Sequence, residues 1–158
     1  MTTTLTEGTA APDFTLASSD GGDVKLSDLR GEWVVLYWYP KDDTPGCTTE
    51  ACEIRDNWQL LSGEGKLFGV SPDSLKSHEK FRDKHDLPFP LLADEGHAVS
   101  DAYGVWGPKK FMGREYMGVD RSTFIVDPDG KLARVFTAVK PAGHALEILQ
   151  ALQELKKK

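Results

Sequence analysis

The sequence predicts an α/β domain in which a mixed central sheet carries helices on both faces. Short apolar runs of strand length alternate with helical stretches over most of the chain. A strand–turn–strand pair and a terminal helix follow this alternation, which is typical of layered α/β folds. The 158 residues contain no internal repeat or linker, so a single domain over 1–158 is expected.

The N-terminal part of the chain predicts a hairpin followed by a buried strand. Apolar residues alternate at 14–16 and again at 24–26, and turn-forming residues occupy 18–23 between them. A capped helical turn is expected at 27–31. The run 33–39 (WVVLYWY) is apolar without alternation. Such a run is typical of a central parallel strand that is covered on both faces.

The middle of the chain predicts alternating helices and strands. The expected elements are a helix over 44–61, a strand over 66–71, a helix over 74–86, a strand over 89–93 and a short helix over 94–103. Residues 105–118 combine glycines with aromatic and basic residues, and their length predicts a functional loop.

The C-terminal part predicts an antiparallel hairpin and a final helix. Strands over 122–127 and 131–137 flank the turn residues Pro128-Asp129-Gly130. The final helix follows Gly143, and its apolar stripe is expected at Leu146, Leu149 and Leu152. The whole order of elements favours the thioredoxin-like arrangement.

Composition and charge narrow the class of protein. A net charge of −6 argues against a sequence-independent nucleic-acid binder, which needs a basic surface. No apolar run approaches the ~20 residues of a membrane span. Residues 1–6 show neither a basic region nor an apolar region of a signal peptide, so a cytoplasmic location is expected. In that compartment the two cysteines are catalytic, redox-active or metal-binding more often than they form a permanent disulfide.

Cys47 lies at the predicted start of the helix over 44–61. Thr44 is a favoured N-cap residue and Pro45 suits the first helical position, which puts Cys47 in the first turn. Free N–H groups and the positive end of the helix dipole favour a thiolate there over a thiol. The alternative is a small buried apolar residue, the commonest role of a free cysteine. The order of cap, proline, glycine and thiol favours a reactive cysteine.

Helix geometry separates the two cysteines. Cys52 lies five residues after Cys47, which corresponds to about 8.6 Å between their Cα atoms in an intact helix. A disulfide requires a separation of less than about 7 Å. The two thiols therefore either never bond, or bond after the first helical turns unwind.

A metal site is not expected from these residues. Two thiolates need two further ligands for structural zinc, and the four histidines have no paired spacing. Each of the histidines (His78, His85, His97 and His144) is expected to be a solvated surface residue.

The cysteine stretch resembles the active-site signature of the peroxiredoxin family. Residues 39–52, YPKDDTPGCTTEAC, carry the pattern Pro-x-x-x-Thr-x-x-Cys and look like the bacterioferritin-comigratory-protein, or peroxiredoxin Q, branch. The similarity covers nearly the whole chain and includes 11–16 (APDFTL), 70–73 (VSPD), 103–106 (YGVW) and 121–127 (RSTFIVD). It implies a thioredoxin fold and thiol-dependent peroxidase activity without a metal or organic cofactor.

The resemblance also implies roles for particular residues. Cys47 would be the peroxidatic cysteine and Cys52 the resolving cysteine of an intramolecular disulfide. Pro40, Thr44 and Arg121 would complete the peroxide pocket, and Glu50 would help to hold the arginine. Hydrogen peroxide and alkyl hydroperoxides are the implied substrates, and a thioredoxin-type dithiol is the implied reductant. A monomer is favoured, because no additional cysteine is present for a disulfide-linked dimer.

Two other functions fit parts of the pattern. A dithiol–disulfide oxidoreductase would also use two cysteines, although such proteins carry the spacing C-x-x-C. A redox-sensing or chaperone-like module could use a reactive cysteine without catalytic turnover. Consumption of peroxide separates the first alternative from a peroxidase, and sustained turnover separates the second.

Overall fold

The computed structural model describes residues 5–157, apart from the side chain of Phe111. Its strands in chain order are β1 (Thr15–Ser18), β2 (Asp23–Lys25), β3 (Val34–Trp38), β4 (Lys66–Ser71), β5 (Leu91–Ala93), β6 (Trp106–Phe111), β7 (Arg114–Val119), β8 (Ser122–Val126) and β9 (Leu132–Phe136). Its helices are α1 (Pro45–Asp56), α2 (Trp58–Leu61), α3 (Leu75–His85), α4 (Ala98–Ala102) and α5 (His144–Lys156). A 3-10 turn at Leu26–Leu29 follows β2.

A seven-stranded mixed sheet has the strand order β2-β1-β5-β4-β3-β8-β9. Strands β3, β4 and β5 are parallel to one another, because each pair is joined by a crossover that contains helices. The β8–β9 hairpin and the β1–β2 hairpin complete the sheet with antiparallel pairs, as the sequence predicts. The predicted α/β class with a thioredoxin-like mixed sheet is therefore confirmed.

The central strand β3 contributes side chains to two apolar clusters, one on each face of the sheet. All of its residues are buried, and alternate side chains enter different apolar clusters. Val35 and Tyr37 pack with residues of α1, α3 and α5 on one face of the sheet. Val34, Leu36 and Trp38 pack on the other face. The absence of alternation in 33–39 reflects this burial on both faces.

Two predicted elements differ in the structure. The helix expected over 44–61 is divided into α1 and α2 at Asn57, whose Nδ2 donates to the carbonyl oxygen of Glu53 at 2.8 Å. An asparagine side chain competes with the helical backbone in this way and favours a break.

The loop expected over 105–118 is instead the antiparallel hairpin β6–β7. Its two-residue turn is Met112-Gly113, with φ values of 52° and 80°. Positive φ at both central residues is the geometry that matches the twist of a hairpin. The methionine at the first turn position concealed this signal from sequence reasoning.

The final helix α5 packs through a slightly different stripe from the predicted one. Leu149 and Leu152 are buried as expected, together with Ala145 and Ile148, whereas Leu146 is 58% exposed. The prediction that Leu146 is a core residue is therefore wrong. The buried face consists of residues 145, 148, 149 and 152, which follow the spacing of a helix, and Leu146 lies outside this face.

None of the described helices is both long and apolar enough to cross a membrane. The described residues do not include 1–4 or Lys158. The expectation about a signal peptide was based on residues 1–6, and most of that stretch therefore lies outside the described residues.

Candidate active site

The loop of residues 39–44 carries the chain from β3 into α1. Thr44 occupies the N-cap position and Pro45 is the first helical residue, as the sequence predicts. The threonine side chain does not cap the helix, because its Oγ1 donates to the carbonyl oxygen of Lys41 at 2.9 Å. The free N–H groups of the first turn therefore remain available near Cys47.

Cys47 begins the buried face of α1. Its side chain is only 2% exposed, and Ala51 and Ile54 continue the same face into the core. Nη2 of Arg121 donates to the Cys47 sulfur at 3.3 Å. A guanidinium cannot lose its charge at ordinary pH, so a permanent positive charge lies against the sulfur.

Arg121 lies between β7 and β8 and binds two residues of α1 at once. Its Nη1 donates to Oε1 of Glu50 at 2.8 Å while Nη2 contacts the Cys47 sulfur. Burial opposes a charged arginine, but the facing Cys47 and Glu50 outweigh it and raise the pKa of Arg121. The fork of the guanidinium thus holds thiol and carboxylate in one fixed arrangement.

Glu50 is a buried carboxylate with only one of its oxygens paired. Its side chain is 1% exposed, and its Oε2 accepts no hydrogen bond from the described residues. Burial raises the pKa of Glu50 to about 7, against the opposing effect of Arg121. A buried, half-paired carboxylate is destabilising by itself, which is typical of a group kept for its role in a site.

Gly46 is a residue of the site that sequence reasoning did not single out as functional. A Cβ atom at this position would lie 3.3 Å from Nη2 of Arg121 and 3.3 Å from Cγ of Pro141. Any side chain would press against the guanidinium that contacts Cys47. Its position between the helix-starting Pro45 and the cysteine was the available sequence signal.

Pro40 and Arg121 share the wall of a cavity of about 410 Å³. Residues 137–139 form another part of this wall, and the Val139 amide donates to the carbonyl oxygen of Arg121 at 3.0 Å. The cavity is large enough for a small peroxide molecule beside the guanidinium. Neither Cys47 nor Thr44 is among the residues that line it, and the Thr44 hydroxyl faces Lys41.

Cys52 lies in the same helix as Cys47, is half-buried, and is free. Both residues belong to the uninterrupted segment Pro45–Asp56. The structure thus holds the two thiols apart in an intact helix, as helix geometry requires.

Two histidines that the sequence placed on the surface are fully buried, so that prediction is wrong for His78 and His144. Each imidazole has a polar partner at both nitrogens. His144 faces Thr123 Oγ1 at 2.7 Å and Glu147 Oε1 at 2.9 Å, and burial lowers the pKa of His144. Hydrogen bonds at both nitrogens offset the free-energy cost of burying an imidazole. The spacing of the histidines in the sequence does not reveal such partners.

Among the described residues, Asp42, Asp73 and His78 approach one another as metal ligands do, with the facing atoms within 4.8 Å. These atoms are already used, because His78 Nδ1 lies 2.7 Å from Asp42 Oδ2 and the Asp42 amide donates to Asp73 Oδ2 at 2.7 Å. Direct hydrogen bonds satisfy the group, and we assign no metal to it.

The fold and the site together define a class of protein. A cysteine at a helix start, buried against an arginine that a buried carboxylate holds, is suited to attack an electrophile as a thiolate. On a thioredoxin-like sheet this arrangement indicates a thiol-based redox enzyme.

Comparison with known proteins gives the family. The model of the AhpC/TSA family matches residues 8–135, so the chain belongs to this family. It is 47% identical to peroxiredoxin Bcp of Bacillus subtilis over 98% of this chain and 99% of the relative. It is 43% identical to peroxiredoxin Bcp of Escherichia coli over 95% of this chain and 97% of the relative.

A solved structure supports the same assignment. Peroxiredoxin Q of Xanthomonas campestris superposes with a TM-score of 0.86 at 38% identity, covering 96% of this chain and 97% of the other. The peroxiredoxin Q resemblance is confirmed, and the chain is a thiol peroxidase of the oxidoreductase class. The family implies peroxide and hydroperoxide substrates and a thiol reductant.

Proposed function

We propose that Cys47 is the peroxidatic nucleophile of this peroxidase and that Arg121 is the group that activates it. The observation that carries the assignment is the double contact of Arg121. Its Nη2 lies 3.3 Å from the Cys47 sulfur, and its Nη1 is held by the buried Glu50 at 2.8 Å. An arginine held on one side presents its remaining donors at a defined place, where the reacting sulfur and oxygen atoms meet.

In the first step the Cys47 thiolate attacks one oxygen of the peroxide. An S–O bond forms while the O–O bond breaks, and the second oxygen leaves with the electron pair. It takes a proton to become water or an alcohol, and Cys47 becomes a sulfenic acid. The negative charge moves from sulfur to the leaving oxygen, where Arg121 and the free N–H groups of the first helical turn stabilise it.

In this proposal Thr44 and Pro40 support the reaction from different places. The Thr44 hydroxyl donates to Lys41, and its lone pairs remain able to accept a hydrogen bond from the O–H of a peroxide. Pro40 forms part of the cavity wall beside Arg121 and limits the access of water. Glu50 acts through the arginine as a positioning residue.

In the second step Cys52 resolves the sulfenic acid. Its thiol condenses with the oxidised Cys47 to form a disulfide and releases water. Because both residues lie in α1, the first turns of this helix must open before the sulfur atoms can meet. A thioredoxin-type dithiol then reduces the disulfide by exchange and becomes oxidised itself.

The remaining assignments follow from this scheme. The substrates are hydrogen peroxide and alkyl hydroperoxides, and alkyl peroxide reduction is named for the Xanthomonas campestris bacterioferritin comigratory protein. That protein is 37% identical to this chain and superposes with a TM-score of 0.86. We further propose that the chain is one domain, acts as a monomer and works in the cytoplasm.

The test is a peroxide titration of the reduced protein by stopped flow, followed by mass spectrometry of the thiols. One equivalent of hydrogen peroxide should yield a Cys47–Cys52 disulfide, and a thioredoxin system should restore both thiols over many turnovers. A reduced protein that ignores peroxide but exchanges disulfides with other proteins would overturn the proposal. Oxidation without turnover would indicate a sensor instead.

A further inference from the structure

Asp42 is a buried acid in the middle of the loop that leads into α1. It is 7% exposed, although it lies between Pro40 and Thr44 in a segment whose neighbours Lys41 and Asp43 are exposed. A buried aspartate requires several hydrogen bonds or a positive partner to offset the loss of hydration.

Three side chains satisfy the Asp42 carboxylate. The Tyr39 hydroxyl donates to Oδ1 at 2.5 Å, and the Ser77 hydroxyl donates to Oδ2 at 2.8 Å. His78 Nδ1 lies 2.7 Å from the same Oδ2. We name these four side chains, Tyr39, Asp42, Ser77 and His78, the Asp42 clamp. Tyr39 belongs to the same loop and directly follows β3, whereas Ser77 and His78 belong to α3, so the clamp holds the loop against α3.

The surroundings of His78 fix its hydrogen bonds. Its side chain is fully buried, and its Nε2 lies 2.9 Å from the carbonyl oxygen of Leu92 in β5. A carbonyl oxygen only accepts, so Nε2 carries a hydrogen and donates it to β5. The 2.7 Å contact between Nδ1 and Asp42 Oδ2 holds one further hydrogen, so the ring is bound at both nitrogens.

Two further groups face this pair. Asp73 reaches the same cluster from the loop after β4, and its Oδ2 accepts from the Asp42 amide at 2.7 Å and from the Ser71 hydroxyl at 2.6 Å. Tyr39 contributes a neutral hydroxyl, and burial first and Asp42 second raise its pKa. Backbone and side chain of Asp42 are thus both held by hydrogen bonds.

We propose that the Asp42 clamp is a positioning device that fixes the N-terminal hinge of α1 and sets how readily Cys47 leaves its pocket to meet Cys52. The proposal rests on the disulfide cycle described above. Opening the first turns of α1 displaces residues from about 43 onward, whereas the Asp42 carboxylate is bound to Tyr39 and to α3, and the Asp42 amide is bound to Asp73 in the loop before α3. The clamp therefore holds one end of the moving segment.

Four reduced proteins test the clamp: the wild type, His78→Gln, Asp42→Asn and Asp43→Asn. His78→Gln removes the buried imidazole that faces Asp42 Oδ2. Asp42→Asn keeps the shape of the side chain and removes the carboxylate. Asp43→Asn is the comparison at the surface, because it removes an exposed carboxylate one residue away whose partners in α3 are Lys84 at 2.7 Å and His85 at 3.3 Å.

Hydrogen exchange of the reduced proteins measures the hinge directly. We expect the amides of residues 48–51, which are bonded within the first turns of α1, to exchange at least ~10-fold faster in His78→Gln than in the wild type, because the loop before α1 loses a buried anchor. Amides of the β8–β9 hairpin should not change. Equal exchange in His78→Gln, Asp42→Asn and Asp43→Asn would overturn the proposal.

Nitrogen NMR of the His78 ring provides a signature that loosened packing alone would not produce. In the wild type the Nδ1 signal should show a hydrogen bond to Asp42, and this signal should shift in Asp42→Asn but not in Asp43→Asn. An Nδ1 signal that is the same in the wild type and in Asp42→Asn would overturn the assignment. Asp42→Asn also keeps the test open if His78→Gln does not fold.

Kinetics then separate positioning from general damage. After a peroxide pulse, disulfide formation should be about 5-fold faster or more in His78→Gln, because opening is easier. The oxidation of Cys47, measured with Cys52→Ser in the same chain, should change less than about threefold. An equal loss in both steps would contradict the clamp. If the wild type forms no disulfide, the proposed catalytic cycle is wrong. Hydrogen exchange and NMR still test whether the Asp42 clamp fixes the start of α1 in that case.

Discussion

Cys47 and Cys52 lie in one helix, yet the two regions of α1 that carry them are built differently. Cys47 is buried in the first turn, where Arg121 donates to its sulfur. Cys52 is half-buried one and a half turns later, and no hydrogen bond to its sulfur is present within residues 5–157. The difference shows that proximity in sequence does not give two cysteines the same surroundings, because the charged partner of Cys47 comes from the tertiary structure.

The largest effect is expected when each cysteine is replaced by serine, which exchanges its sulfur for oxygen. Cys47→Ser should lower the rate of peroxide reduction at least ~10⁴-fold, since the nucleophile is lost. Cys52→Ser is the matched variant and should keep the first oxidation within about twofold while losing efficient recycling by a dithiol. Stopped-flow oxidation and coupled turnover measure the two steps. Normal turnover of Cys52→Ser with thioredoxin would remove its resolving role.

The next test removes the partner that distinguishes the two regions. Arg121→Gln should lower the rate constant for oxidation of Cys47 by about 10² to 10³, because a charged donor to the developing oxyanion is lost. Arg134→Gln is the control, since Arg134 pairs at 3.7 Å with the exposed Glu154 on another part of the sheet. Similar rates for Arg121→Gln and the control would show that the arginine does not activate the cysteine.

The third test concerns the carboxylate behind the arginine. Burial raises the pKa of Glu50 to about 7 from 4.5, so the folded protein binds a proton there more tightly than the unfolded chain. Stability from this group therefore falls as the pH rises from about 4.5 to 7, by up to ~3 kcal/mol. The free energy of unfolding of Glu50→Gln should lose less across this range than that of the wild type.

Urea unfolding of the reduced proteins at several pH values between 4.5 and 8 measures this difference. Parallel curves for wild type and Glu50→Gln would contradict the shift. In the same variant the oxidation of Cys47 should slow by about tenfold, because Arg121 loses the charged oxygen that holds it at 2.8 Å.

The smallest expected effect is on the motion of α1 itself. Amides from about 46 to 55 should exchange several-fold faster in the disulfide form than in the reduced form, because the disulfide cannot form in an intact helix. Hydrogen exchange followed by mass spectrometry compares the two states. Equal protection would mean that Cys47 and Cys52 bond without unwinding, and the two regions of α1 would then be less distinct than the geometry requires.

Local patterns carried much of the fold. The unbroken apolar run at 33–39 identified the doubly covered strand β3, and Ser74 identified the start of α3, where its hydroxyl accepts from the Ser77 amide at 3.1 Å. The hairpin β6–β7 was not predicted, because its turn is Met112-Gly113 and lacks the usual asparagine or aspartate. The break at Asn57 was not predicted because the apolar residues Ile54, Trp58 and Leu61 continue the helical spacing past it.

The candidate site likewise has some features that the sequence predicted and others that only the structure revealed. Position and residue type alone singled out Cys47 as reactive, and the geometry of a helix alone separated it from Cys52. Neither could reveal that His78 and His144 are buried, because burial depends on partners such as Asp42, Leu92 and Thr123 that are distant in sequence.

By itself the sequence determined the layered fold class, the helix start that carries Cys47 and the separation of the two thiols. These properties follow from periodicity, capping and helical rise, which act over a few residues. Only the tertiary structure decided that Arg121 joins Glu50 to Cys47 across 71 and 74 residues of sequence, and that Asp42 is bound to α3. Such contacts arise when the sheet brings remote segments together, and no local rule specifies them.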